Sequence, residues 1–134
     1  MIPVYLRLRN FMSHVDSEIR FDELDLVTLI IGIKRENTKS SNGAGKSALF
    51  DAMTWALYEK SRASGNASTG IDSIVKGGQD KAEVEFHFLL GEDLYRVVRS
   101  RDKKRKKSDV VFQVKSANKW QSVGADSKKH TAKK

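Results

Sequence analysis

Residues 4–9 (VYLRLR) alternate apolar and polar side chains, the period of a strand with one buried face. Residues 10–14 (NFMSH) follow as a polar turn with one aromatic, Phe11, expected in the core. Alternation resumes over 17–21 and predicts a second strand paired with the first. After a turn at 22–25, residues 26–31 (LVTLII) are almost continuously apolar, which predicts a strand buried on both faces. Residues 33–40 (IKRENTKS) are polar after Ile33 and are expected to loop out at the surface. From Lys46 to Tyr58 the period becomes helical. Leu49, Met53, Ala56 and Leu57 fall on one side, and Trp55 and Tyr58 widen the apolar face. Residues 61–70, rich in Ser, Gly and Asn, predict a mobile loop, and 71–78 a short element ending in a Gly turn. Residues 82–89 alternate again, with Val84, Phe86 and Phe88 on one face. Gly91, Glu92 and Asp93 then make a hairpin turn, and 94–99 form the partner strand. Residues 101–107 are a charged loop, 110–114 a third strand of this meander, and Trp120 closes it.

Composition narrows the class. A chain of 134 residues is one domain or part of one. It holds no Cys, so disulfides and thiolate metal sites are excluded, which fits a reducing compartment. The start (MIPVYLR) lacks the basic residues and long apolar run of a signal peptide. No apolar run approaches the roughly 20 residues of a membrane span, so a soluble, intracellular protein is expected. The net charge of +8 is unevenly placed. Residues 1–100 carry 13 Lys/Arg against 14 Asp/Glu, while 101–134 carry 12 against 3. Such asymmetry suggests a polyanion nearby or a solvated tail. His14, His87 and His130 share no helix face and have no metal-ligand spacing, so each reads as a surface or turn histidine.

The candidate chemistry lies between the buried strand and the helix. Asn42, Gly43, Ala44, Gly45, Lys46 and Ser47 form the second half of a phosphate-binding loop. Small residues let backbone N–H groups turn inward around an anion. The helix that follows aims its free N–H groups and positive dipole end at the same anion. Lys46 supplies a point charge for β- and γ-phosphates, and Ser47 a hydroxyl for Mg²⁺. The full pattern is G-x-x-x-x-G-K-[ST]. Its first Gly position holds Ser40, and the nearest upstream glycine is Gly32, with 12 residues between it and Gly45 instead of four. Either eight residues, 33–40, are inserted, or Ser40 replaces the first Gly, which requires φ < 0 there.

The order of segments resembles the N-terminal part of SbcC-type ATPase subunits of double-strand-break repair complexes, in the SMC-like branch of ABC ATPases. The resemblance rests on residues 6–14 (LRLRNFMSH), 29–32 (LIIG), 42–53 (NGAGKSALFDAM), 56–58 (ALY) and the hairpin from 82–88 into 95–99. It covers nearly the whole chain. It implies an α/β P-loop NTPase of ABC/SMC head type, N-terminal half, with a P-loop strand and helix plus an antiparallel β-meander. It further implies ATP and Mg²⁺ as cofactors, with Asn42 to Ala48 around the phosphates. Arg9, Asn10, Ser13 and His14 match the segment beside base and phosphates. The implied layout is residues 1–60 for strands, phosphate loop and first helix. Residues 61–81 then form a mobile loop and short element, 82–123 the meander, and 124–134 a basic tail toward a coiled coil.

In such proteins a coiled coil separates two halves of the head, two heads sandwich two ATP molecules, and an SbcD-type nuclease and DNA are partners. The implied location is cytoplasmic or nucleoid-associated, nuclear in a eukaryote. No signature motif, acidic Walker B residue or catalytic Glu is present, so this chain alone is expected to be inactive. Two other classes are open from the residues. Another P-loop enzyme predicts an acceptor- or guanine-reading motif, but 59–134 show only a loop and a meander. A basic nucleic-acid module predicts cations interleaved with aromatics, but 101–107 contain no aromatic. Lys103, Lys104, Arg105, Lys106 and Lys107 are the candidate DNA contacts. Tyr95, Arg96 and Arg99 read as a solvated strand face.

Overall fold

The computed structural model describes residues 1–31, 33, 45–60 and 71–124. Its strands are β1 (Ile2–Phe11), β2 (His14–Arg20), β3 (Lys81–Leu90), β4 (Asp93–Asp102), β5 (Lys107–Ser116) and β6 (Lys119–Ser122). A helix of thirteen residues, α1 (Lys46–Tyr58), lies between β2 and β3 in the chain. The alternating segments form a single antiparallel sheet in the order β2-β1-β3-β4-β5-β6. The predicted meander is thus longer than expected and is continuous with the N-terminal hairpin. Pairs such as Leu6↔Phe86 and Leu8↔Val84 join β1 to β3.

Period-two alternation sorts the sheet into two faces. Leu6, Leu8, Ala82, Val84, Phe86, Phe88 and Val97 turn inward and are buried. α1 covers them with Ala48, Leu49, Ala52, Trp55 and Ala56, also buried. The helix presents a different stripe from the one expected. Trp55 is its centre at 0% exposure, Met53 and Leu57 pack at the margin, and Tyr58 faces solvent. Beside α1 the sheet is less covered. An open, mostly apolar cleft of about 250 Å³ is lined there by Leu57, Phe88, Val97, Val110 and Phe112.

The predicted strand at 26–31 is not formed. Leu26 is fully exposed, and Val27, Leu29 and Ile31 are exposed too. A strand needs neighbours to complete its ladder and a cover for its faces. The described strands pair with one another, and none pairs with this run. Of the polar segment 33–40, Ile33 is exposed and the rest lies outside the described residues, as do the predicted loop 61–70 and most of the basic tail.

Charged residues on the inner face are neutralised locally. Arg99 is not solvated as expected: its side chain is 11% exposed, donates from Nε to the Ala56 carbonyl at 3.0 Å and pairs with Glu59 at 3.4 Å. A cation at these last carbonyls suits the negative end of α1. Arg101 leaves the charged loop for Asp72, at 2.9 Å. On the outer face His87 is not a turn histidine. It sits mid-strand between Tyr5 and Trp120, with ring centroids 4.8 and 5.3 Å away, and contacts Glu85.

Three carboxyls are held below their ordinary range. Arg7 lowers Asp16 through paired hydrogen bonds, His87 lowers Glu85, and the backbone N–H of Arg105 lowers Asp102. Groups with depressed folded values bind protons more tightly when unfolded. Their contribution is therefore complete above the unfolded values near 4 and is lost as pH falls through the folded ones. The melting temperature is expected to fall steadily with acidification below about pH 4.5. Calorimetry from pH 7 to pH 3 checks this, and an unchanged midpoint at pH 3 contradicts it.

Candidate functional site

The β1–β2 turn and the start of α1 meet at one end of the sheet. β1 ends in Phe11, which is fully buried, and the turn Met12–Ser13 leads to His14, paired across from Phe11. Asn10 and Met12 both have positive φ, at 49° and 52°. That strained tip is braced by the chain beneath it. Met12 N–H donates to the Ile74 carbonyl at 2.7 Å, Lys76 N–H donates to the Asn10 carbonyl at 2.8 Å, and Phe11 bridges to Val75. The Phe11 ring lies 5.5 Å from that of Trp55, which fixes α1 against the hairpin.

This contact brings Gly45 under the turn. Gly45 caps α1 in the left-handed region, at φ 88°. A Cβ here would lie 2.8 Å from both His14 Nε2 and Ser13 Oγ, so the position requires glycine sterically as well as conformationally. No side chain caps the helix start, and no acid lies in its first turn. Lys46 is half-buried and Ser47 exposed, while Ala48 and Leu49 turn into the core. The N–H groups at this end and the Lys46 charge form an electropositive patch suited to an anion.

Of the sequence-predicted site residues, Ser13, His14, Gly45, Lys46, Ser47 and Ala48 come together. Asn42, Gly43 and Ala44 lie outside the described residues, as does Gly32. Asn10 contributes its carbonyl to the brace. Arg9 is not brought to Gly45: it points to the outer face, paired with Glu83 at 3.5 Å. Ser17 escaped the sequence reading. Its hydroxyl meets His14 Nδ1 at 2.6 Å, while His14 Nε2 meets the Gly45 carbonyl at 2.8 Å. Nothing in the residue pattern marks that Ser, because the contact depends on how the hairpin twists.

The cationic turn leaves the same end of the sheet, since Arg9 aligns with Glu83 and Lys81 with Asp102. It is shorter than expected. β4 runs to Asp102 and β5 starts at Lys107, leaving Lys103, Lys104, Arg105 and Lys106 in the turn. All four are exposed, as is Lys107, whose ammonium lies 3.8 Å from Asp109.

A family model described as an AAA domain matches residues 5–133. The chain belongs to the AAA domain family. This AAA domain is 30% identical over 136 residues to the SbcC component of the nuclease SbcCD of Deinococcus radiodurans, covering 100% of the chain and 14% of that protein. It is 36% identical over 125 residues to the "DNA double-strand break repair Rad50 ATPase" of Thermoplasma acidophilum, covering 92% of the chain and 12% of that protein. The Thermoplasma volcanium protein of the same name is 36% identical over 106 residues, 79% of the chain and 10% of that protein. The AAA domain thus spans about a tenth to a seventh of the length of these relatives, and its likeness is to their N-terminal regions. No helix among the described residues is long and apolar enough to cross a membrane.

Proposed function

We propose that this AAA domain is the ATP-binding N-terminal half of the head of a DNA-repair ATPase of SbcC type. The observation that carries the reading is the start of α1. A helix N-terminus without a side-chain cap, a left-handed Gly45 and the Lys46–Ser47 pair coincide at one point. The donor set fits a nucleotide. Residues 42–48 would surround the phosphates with backbone N–H groups, Lys46 would hold the β- and γ-phosphates, and Ser47 would hold Mg²⁺. Bound Mg²⁺ would supply charge neutralisation between those phosphates. Ser13 and His14 would stand beside the site, with Asn10 bracing the turn that carries them; Arg9 joins it only if it leaves Glu83.

The exposed apolar run at 26–31 and the cleft beside α1 support a partner that completes the head. An unpaired stretch of Leu, Val and Ile is the expected appearance of a strand whose neighbours belong to another segment. The C-terminal half of the same head is that segment in this reading. Two completed heads would enclose ATP between them, an SbcD-type nuclease would act beside them, and the setting would be cytoplasmic or nucleoid-associated. Titration with a fluorescent ATP analogue and Mg²⁺ tests the reading. Saturable binding, competed by ATP, is expected; absence of binding by the folded protein sinks it.

DNA contact is assigned to the turn carrying Lys103, Lys104, Arg105, Lys106 and Lys107. Its five exposed cations project from the end of the sheet that holds the phosphate site. Contact of this kind reads phosphates, not bases, and releases counterions. Replacing all five with Ser is expected to weaken DNA binding and to flatten the plot of log K against log salt. Fluorescence anisotropy at several salt concentrations measures both. Equal slopes for the two proteins would show that the turn is a solvated face.

A further inference from the structure

We infer that His14 does not bind the nucleotide but is a positioning residue that aims the Lys46 backbone N–H at the phosphate site. The inference rests on reading 42–48 as a nucleotide loop. Both ring nitrogens of His14 are already engaged, one by Ser17 Oγ and one by the Gly45 carbonyl. A carbonyl only accepts, so Nε2 carries the proton. In the neutral ring Nδ1 then accepts, and the Ser17 hydroxyl donates to it. The tautomer is therefore set by the Gly45 carbonyl, and no ring nitrogen remains for a phosphate.

What the relay controls is the Gly45 oxygen. That oxygen also accepts from Ala48 N–H at 3.2 Å, the first bond of the helix. It is held by two donors from two directions. The Gly45 carbonyl and the Lys46 N–H belong to one peptide unit, which is planar and trans, so they point in opposite directions. Fixing the oxygen toward His14 fixes the N–H away from it. The Lys46 N–H belongs to the first turn of α1, whose N–H groups have no acceptor within the helix itself. Gly45 could otherwise rotate through a wide range of φ and ψ, since it has no Cβ. The same missing Cβ is what lets His14 and Ser13 approach to this distance. The hairpin thus supplies the rigidity that the glycine lacks, and an aligned donor strengthens a charge-assisted bond.

The test compares wild type with His14→Phe, His14→Gln, Ser17→Ala and Lys46→Ala. Affinity for Mg²⁺–ATP and the melting temperature without nucleotide are measured for each. His14→Phe keeps much of the ring's bulk but has no donor, and affinity is expected to fall about tenfold with the melting temperature nearly unchanged. His14→Gln restores a donor and is expected to recover most of the loss. Ser17→Ala, which frees the ring but leaves Nε2, is expected to fall between them and serves if His14→Phe fails to fold. Wild-type affinity in folded His14→Phe, or equal losses for Phe and Gln, would overturn the inference. Long-range ¹⁵N–¹H spectra of the imidazole add a readout that needs no nucleotide. They are expected to show the proton on Nε2, and a proton on Nδ1 alone would overturn it. If wild type and Lys46→Ala bind ATP equally, the nucleotide-loop reading is what has failed; the tautomer still reports on the relay.

Discussion

Lys46→Ala is expected to weaken binding of an ATP analogue by about 100-fold while leaving the protein folded. The size follows from the bonds at stake. A charge-assisted hydrogen bond contributes about 1.5–3 kcal/mol, and about 2.7 kcal/mol is a factor of 100 in affinity. The fold should tolerate the change because Lys46 is the first residue of α1 and lies outside the core. Ala is also a good helix former, so the first turn is not weakened by propensity. Isothermal titration beside thermal melting separates the two effects. A folded variant that binds like wild type would remove the phosphate-loop assignment.

Trp55→Ala is expected to have the largest effect on the fold, a loss of about 3–5 kcal/mol. Domain stability is about 5–15 kcal/mol, so this is a large share. Trp55 is completely buried and packs on Phe11, so the substitution opens a cavity between helix and hairpin. The melting temperature should drop by about 10–20 °C. Trp55→Phe provides the contrast. The indole N–H is buried without a hydrogen-bond partner, so removing it leaves no orphaned acceptor. Phe should therefore cost much less than Ala. Calorimetry decides, and an Ala variant melting within two or three degrees of wild type contradicts the packing described.

Much of this architecture was legible in the residue pattern. Alternation located most of the strands, because each buries one face and exposes the other. The bounds of α1 followed from a helical period that begins at Lys46 and ends at Tyr58. Residues 26–31 misled for a physical reason. An apolar run encodes a demand for burial, not the presence of a partner, and here no described strand supplies one. Arg99 misled in the opposite sense. Its place in an alternating strand suggested solvent, but the carbonyl end of α1 lies over that face and takes its guanidinium. At the site, glycine spacing and the Lys46–Ser47 pair were readable in advance. The His14–Ser17 relay was not, since it joins residues through a hairpin twist and to a carbonyl 31 positions away.

The strand order carries a consequence for how the chain acquires its shape. Within the sheet, β1–β2, β3–β4, β4–β5 and β5–β6 are neighbours in sequence and can zip as hairpins. The β1–β3 ladder instead joins distant parts, with Leu6 meeting Phe86. Closing that loop must precede any reward from its contacts, so it is the slow event in assembly. During synthesis β1 emerges long before β3, and its second edge stays open with Leu6 and Leu8 uncovered. An open apolar edge invites pairing with another chain. The vulnerable interval in the life of this protein is therefore the time between the release of residue 11 and that of residue 90, and sequestering the first hairpin then would raise the yield of folded molecules.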